Sequence, residues 1–229
     1  MLSGIGGDEL FGGYPWRYNL DNHYNNLDDF IGKSYRLWQR LIPSSKMQSL
    51  FFPVIDKIKN LDSYEIFKNV FLQDKNNVIK NQKDYINKIF YFEAKTFLHG
   101  LFVVEDKLSM ANSLETRVPF MDNDLVDFAM TCPLSLKLNK MKEKIQVNEN
   151  NLLNKQFIKT NHGKKILREI LKNKLPPEIV TMTKQGFSAP DASWFKGESI
   201  DFVKDKLYDN NASIYNYLDK TQIQKMLDQ

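Results

Sequence analysis

The chain has 229 residues, 42% of them hydrophobic and 13% aromatic, with 32 basic against 28 acidic side chains and a formal charge of +4. That length and apolar content can fill a core, which excludes a disordered tail, and no apolar run approaches the roughly 18 residues of a membrane span. One cysteine, Cys132, excludes a disulfide framework and a cysteine-rich zinc site; with no basic leader ahead of an apolar stretch, a cytoplasmic protein is expected.

Met1–Leu2 reads as the end of a strand that runs into Ser3-Gly4-Ile5-Gly6-Gly7-Asp8-Glu9-Leu10-Phe11-Gly12-Gly13-Tyr14, a stretch holding five of the chain's ten glycines. Glycines at this density permit positive φ and let main-chain N–H groups approach a ligand closely. The stretch has the make-up of an anion-binding loop, and the acidic pair Asp8-Glu9 is compatible with phosphate once a divalent cation bridges the two. A tight turn without a ligand is the alternative.

The rest reads as helix and connecting loop. Asp28 or Asp29 is expected to cap a helix whose apolar stripe runs from Leu27 through Phe30 and Ile31 to Leu41, ending at Pro43. Ser44-Ser45 begins a short helix interrupted by Pro53. Asp62 or Ser63 caps the next, with Ile66, Phe67, Val70 and Phe71 inward. The most apolar segment, Asp84 to Ser113, is expected to be a central helix bent or broken at Gly100. Pro119 makes Glu115–Phe120 a loop, and Asp122 or Asn123 caps a helix carrying Leu125, Val126, Phe128 and Ala129. Gly163 precedes an amphipathic helix with Ile166, Leu167, Ile170 and Leu171, closed by Pro176-Pro177. Short helices follow to Gln229. With no repeat or long linker, one mainly helical domain over residues 1–229 is expected, with at most one truncated strand at its N-terminus.

Two composition features point to no site. His23, His99 and His162 are scattered without ligand spacing. Between Lys137 and Lys174 lie eleven basic residues against three acidic ones. Because lysine dominates and Phe157 is the single aromatic residue among them, this stretch reads as a solvated face rather than a nucleic-acid surface.

Three loops stand apart: Ser3–Gly13, Glu115–Asp122 and Lys184–Pro190. Two acidic loops and one lysine loop suit a Mg²⁺-phosphate site with a cation on the leaving phosphates. Ser3 to Tyr14 resembles the S-G-x-G-x-D-E-x-F-G-G-Y signature of glutamine-dependent asparagine synthetases. Val104-Glu105-Asp106-Lys107-Leu108-Ser109-Met110-Ala111-Asn112-Ser113-Leu114-Glu115-Thr116-Arg117-Val118-Pro119-Phe120 resembles that family's second block, and Lys184-Gln185-Gly186-Phe187-Ser188 its pyrophosphate-lysine loop. The blocks stand in the family's order and span nearly the whole chain.

The resemblance implies a two-step reaction. ATP with Mg²⁺ adenylates the side-chain carboxylate of aspartate and releases pyrophosphate; ammonia from glutamine then displaces AMP to give asparagine. It implies that Ser3 and Gly4 touch the nucleotide, that Asp8 helps to hold Mg²⁺, and that Lys184 stabilises charge on the departing pyrophosphate. Glu115 matches the acidic residue that related lactam-forming synthetases pair with a catalytic tyrosine, and a structural ion pair with Arg117 is the equal alternative. Asp106-Lys107 is open between an active-site and a structural role. The implied fold is the helical C-terminal part of an α/β adenine-nucleotide α-hydrolase-like synthetase domain.

Two departures qualify the resemblance. Ile5 stands where many asparagine synthetases have glutamate, and isoleucine cannot take a proton from attacking ammonia. The family's S-G-G-x-D-S nucleotide loop and the N-terminal cysteine of its glutaminase domain have no counterpart here. The chain is therefore expected to be a piece of the synthetase domain, incomplete for catalysis alone, with an upstream polypeptide or partner chain supplying the nucleotide loop and glutaminase. A non-catalytic helical module that binds a partner is the alternative.

Overall fold

The computed structural model describes residues 1–18, 23–38, 42, 44–75, 78–139, 163–182 and 199–227. They are mainly helical, as expected, and among them the single β contact is a parallel bridge between Leu2 and Arg117. The helices in chain order are α1 (Gly7–Phe11), α2 (Leu27–Trp38), α3 (Ser44–Leu50), α4 (Ile55–Ile58), α5 (Ser63–Gln73), α6 (Asp84–Lys95) and α7 (Phe97–Ala111). They continue with α8 (Asn123–Thr131), α9 (Leu134–Lys137), α10 (Lys165–Leu171), α11 (Pro177–Val180), α12 (Ser199–Tyr208) and α13 (Lys220–Leu227). The chain divides into two compact units: Met1–Leu37 with Glu65–Gln185, and Trp38–Tyr64 with Gly186–Gln229.

The first unit is built around the short α1, which packs on α6, α8 and α10. Leu10 and Phe11 are buried with Ala129, and Phe120, Met121, Leu125, Val126, Ile166 and Leu167 close around them. A second cluster is aromatic. Phe30 of α2 meets Phe71 of α5 edge-on at 5.3 Å, and Phe71 stacks on Phe92 of α6 at 4.9 Å. Removing a side chain of this kind from water contributes about 1.5–3 kcal/mol, which holds α2, α5 and α6 together.

Side-chain caps set several helix starts. Asp122 accepts the backbone N–H groups of Asp124 and Leu125, which makes it the N-cap of α8. At α2 the cap is Asn26, not Asp28 or Asp29. Asn26 Oδ1 accepts the Asp29 N–H at 2.9 Å, and Asp29 Oδ2 reaches back to the Asn25 N–H at 3.0 Å, a reciprocal arrangement. Leu41 and Pro43, the expected end of that helix, lie outside the described residues.

The central helix breaks at Thr96 rather than Gly100. Thr96 has φ −117° and ψ −70°, and its hydroxyl donates to the Phe92 carbonyl at 2.7 Å, a back-bond that bends helices. Gly100 continues α7 with its own N–H held by the Thr96 carbonyl at 3.0 Å. Four stripe residues also face outward. Ile66, Phe128, Ile170 and Leu171 are 57%, 50%, 54% and 37% exposed, because each apolar stripe is wider than the one face its helix buries.

Periodicity gave no warning of the buried charges. Arg17 donates to Glu93 Oε1 at 3.0 Å, and Tyr18 donates to Glu93 Oε2, with all three side chains buried. The Arg17 guanidinium also lies 4.2 Å from the Tyr14 ring centroid and 4.8 Å from that of Phe97. Lys88 pairs with Asp74 at 3.2 Å and donates to its carbonyl at 2.7 Å, again out of water. Such pairs cost desolvation and persist where both partners are fully hydrogen-bonded.

In the second unit, α3 packs on α13, and the Asp219 N–H closes on the Leu50 carbonyl at 2.7 Å. Leu50 is buried there, and Asp62 Oδ1 accepts the Tyr64 N–H at 2.8 Å to start α5.

Candidate functional site

The bridge at Leu2 joins the first sequence block to the second. The Ser3 N–H donates to the Arg117 carbonyl at 2.8 Å, and the Arg117 N–H donates to the Met1 carbonyl at 2.8 Å. The glycine loop then turns into α1 with Gly6 at φ +92°, a left-handed conformation that a side chain would resist. A Cβ on Gly6 would also meet the Met121 sulfur at 2.8 Å, and one on Gly7 would meet the Phe120 ring at 3.1 Å. These two glycines therefore serve the fit of the loop against Phe120 and Met121. Gly4 differs: it is exposed, and nothing lies within 4 Å of where its Cβ would stand.

Asp8 sits in the first turn of α1. A Cβ on Gly13 would fall 1.7 Å from Asp8 Oδ1, so the bare backbone of Gly13 leaves room for this carboxylate. The same oxygen meets Lys164 Nζ at 2.8 Å, with the two side chains 22% and 31% exposed. Lys164 is held for the purpose. It has φ +54°, its N–H donates to the Phe11 carbonyl at 3.0 Å, and the preceding Gly163 lies so close that a Cβ would stand 2.0 Å from the Gly12 carbonyl oxygen. Sequence reading missed Lys164 because it lies in a lysine-rich stretch read as solvated. The one available signal was Gly163 directly before it.

Ser3 points away from Asp8's pair and toward α7. Its hydroxyl accepts the Ile5 N–H at 3.3 Å and donates to Glu105 Oε2 at 2.9 Å. Glu105 was quoted in the second block without a role, and no local pattern would have paired it with Ser3. Glu115 pairs with Arg117, with both side chains about two-thirds exposed, and Asp106 pairs with Lys107 at 4.0 Å in a similarly wet setting. Exposed pairs of this kind hold a loop only weakly. Lys184 lies outside the described residues.

Behind the loop, Tyr14 donates to Glu9 Oε1 at 3.0 Å. Burial, followed by the charges of Glu9 and Asp8, pushes the Tyr14 hydroxyl far above the ordinary phenol range, so it stays a donor. Burial also pushes the Glu93 carboxyl up to about 7, against the opposing pull of Arg17 and Tyr18.

The donor set bears on Mg²⁺. Among the described residues no group of three or more His, Cys, Asp or Glu side chains is arranged to hold a metal ion. One carboxylate, Asp8, already faces a cation. That fits Mg²⁺ carried in on phosphate oxygens and water with a single protein ligand, and does not fit an ion caged by protein alone. No helix among the described residues is long and apolar enough to cross a membrane.

The family model described as asparagine synthase matches residues 1–229. The chain belongs to the asparagine synthase family. It is similar to asparagine synthetase [glutamine-hydrolyzing] 3 of Bacillus subtilis, at 26% identity over 235 residues, covering 99% of this chain and 32% of that protein. It is similar also to asparagine synthetase [glutamine-hydrolyzing] 1 of the same organism, at 29% identity over 135 residues, covering 58% of this chain and 18% of that protein. A third similarity, 25% over 181 residues, is to protein GrpE 2 of Buchnera aphidicola, covering 74% of this chain and 92% of that protein. The family model, which runs the length of the chain, agrees with the first two. The chain thus spans no more than a third of the length of these two asparagine synthetases. No solved structure matches it.

Proposed function

We propose that this asparagine synthase-family chain, over residues 1–229, is part of a cytoplasmic ATP-dependent amidotransferase. In this reading the enzyme adenylates the side-chain carboxylate of aspartate and transfers ammonia from glutamine, yielding asparagine, AMP and pyrophosphate. The chain supplies the phosphate-facing half of that site. The observation that carries the reading is the Asp8–Lys164 pair at 2.8 Å beside an open Gly4, a carboxylate and an ammonium held together by glycine-enabled backbone contacts.

Mg²⁺, when bound with the nucleotide, neutralises phosphate charge and orients the leaving group. Asp8 would hold that ion, and Lys164, its partner at 2.8 Å, would place a positive charge beside the phosphates. Lys184 adds positive charge to the pyrophosphate as it leaves, and Gly4 lets the nucleotide lie against bare backbone while Ser3 fixes the loop beneath it. Electrostatic stabilisation by such fixed cations is what adenylation most requires.

Residues 1–229 carry no counterpart of the S-G-G-x-D-S loop. Ile5, which cannot take a proton from ammonia, favours a second reading, a non-catalytic helical module that binds a partner. Isothermal titration separates the two. The first reading expects Mg²⁺-pyrophosphate binding that Asp8→Asn and Lys164→Met each weaken, with no micromolar affinity for Mg²⁺-ATP. Absence of any pyrophosphate binding leaves the docking module.

A further inference from the structure

Glu105 of α7 presents an unmet hydrogen-bonding demand next to the glycine loop. Its Oε2 accepts the Ser3 hydroxyl at 2.9 Å, while its Oε1 is buried and has no hydrogen-bond partner among the described residues. An acceptor left so inside a fold forfeits the solvation it had in water, and a charged one forfeits more. Three cations are engaged elsewhere: Lys107 with Asp106, Arg117 with Glu115, and Lys164 with Asp8. Ser3 cannot serve Oε1, because its one hydroxyl proton is committed to Oε2 and its lone pair to the Ile5 N–H. A bound group can supply a donor to Oε1, and a small cation bearing N–H would both donate to the carboxylate and balance its charge.

We infer that Glu105 is a binding residue for the nitrogen-bearing reactant, taking an N–H of an ammonium-type group on Oε1 while Ser3 fixes the carboxylate through Oε2. This rests on the amide-forming reading above and deepens it. Position 5 itself carries no carboxylate, and α7 brings Glu105 to the Ser3 end of the same loop. Two sources share the chemistry, free ammonia as ammonium and the α-ammonium of an amino acid. The backbone bridge from Ser3 to Arg117 keeps Ser3 in register with the block that carries Glu105, so the geometry does not depend on Asp8.

The test is a titration of the chain labelled with carboxyl-¹³C glutamate, ammonium chloride replacing potassium chloride at constant ionic strength. The Glu105 resonance is identified by its absence in Glu105→Gln. A saturable shift with ammonium, absent with potassium, is expected, and Ser3→Ala should weaken it about fivefold, the equilibrium worth of one hydrogen bond. Ser3→Ala also keeps the experiment decisive should Glu105→Gln perturb the fold. A shift with L-aspartate but none with ammonium assigns the α-ammonium as the source. No shift with either means that Oε1 is met by ordinary water and overturns the inference. Pyrophosphate binding measured in parallel separates the two readings: its loss with the ammonium response retained defeats the phosphate site alone, and the reverse pattern defeats Glu105 alone.

Discussion

Lys164 reaches Asp8 across most of the first unit, and their 2.8 Å contact makes a basic side chain the resting partner of the carboxylate that faces the glycine loop. Two cations competing for one carboxylate give a distinctive signature. Lys164→Met should bind free Mn²⁺ more tightly than the parent, since the competing ammonium is gone, and Mg²⁺-pyrophosphate more weakly, since a phosphate counter-charge is lost. Manganese paramagnetic resonance and calorimetry read the two directions separately. Loss of the half-buried pair should cost about 1 kcal/mol of stability.

Glu93 ties folding to pH. Its carboxyl stands at about 7 in the folded chain against 4.5 unfolded, so the folded state holds the extra proton between those values. Stability is then greatest below about pH 4.5 as far as this group goes, declines as pH rises through that window, and levels off above 7. The shift corresponds to a loss on the order of 3 kcal/mol across the window. Denaturant midpoints measured from about pH 4 to about pH 8 should show the decline in the parent and lose it in Glu93→Gln.

Lys137 behaves as the basic mirror image. It is buried beside the Phe90 ring, 4.5 Å from its centroid, and burial lowers its ammonium from 10.5 to about 8. Its folded value being depressed, stability contributed by this group rises as pH climbs from about 8 to 10.5. Lys137→Met, which removes the desolvated charge at neutral pH, should raise the unfolding free energy by about 1–3 kcal/mol. A drop in melting temperature would show that the Phe90 contact outweighs burial.

Glycines in this chain divide by their surroundings. Gly163→Ala places a methyl 2.0 Å from the Gly12 carbonyl oxygen, backbone that cannot swing aside, and should cost about 3 kcal/mol. Gly32→Ala and Gly100→Ala lie within helices with nothing inside 4 Å, and each should gain up to about 1 kcal/mol. Thermal melts of the three variants suffice.

Asn26 offers a local check on helix entry. Asn26→Ala removes the acceptor for the Asp29 N–H and should cost about 1 kcal/mol, whereas Asp28→Ala should be nearly neutral. Equal losses would return the cap to the aspartates.

Much of this architecture is written in neighbours along the chain. Phe30 and Ile31 mark the buried face of α2, and Asp122 announces α8 through the two N–H groups that follow it. The three blocks likewise declare the family, because Gly, Asp and Pro at fixed offsets are visible without a structure. The rest depends on partners far away in sequence. Lys164 acquires meaning only when Gly163 settles on Gly12, and Glu105 only when a parallel bridge brings Ser3 beside α7. Glu93 looks like any polar residue on a helix until Arg17 and Tyr18 close over it. Thr96 took the kink from Gly100 because a hydroxyl bonding back up its own helix perturbs the ladder more than a missing side chain does.

The fit of Gly6 and Gly7 against Met121 and Phe120 has an evolutionary cost. At Gly6 the φ of +92° resists any side chain whatever faces it, while at Gly7 a Cβ would stand 3.1 Å from the Phe120 ring, which must give way to admit it. Positions 7 and 120 are thus one inheritance unit: bulk at the first is admitted with a matched change at the second. A laboratory library that randomises positions 7 and 120 together should recover compensated combinations that no single-site library contains.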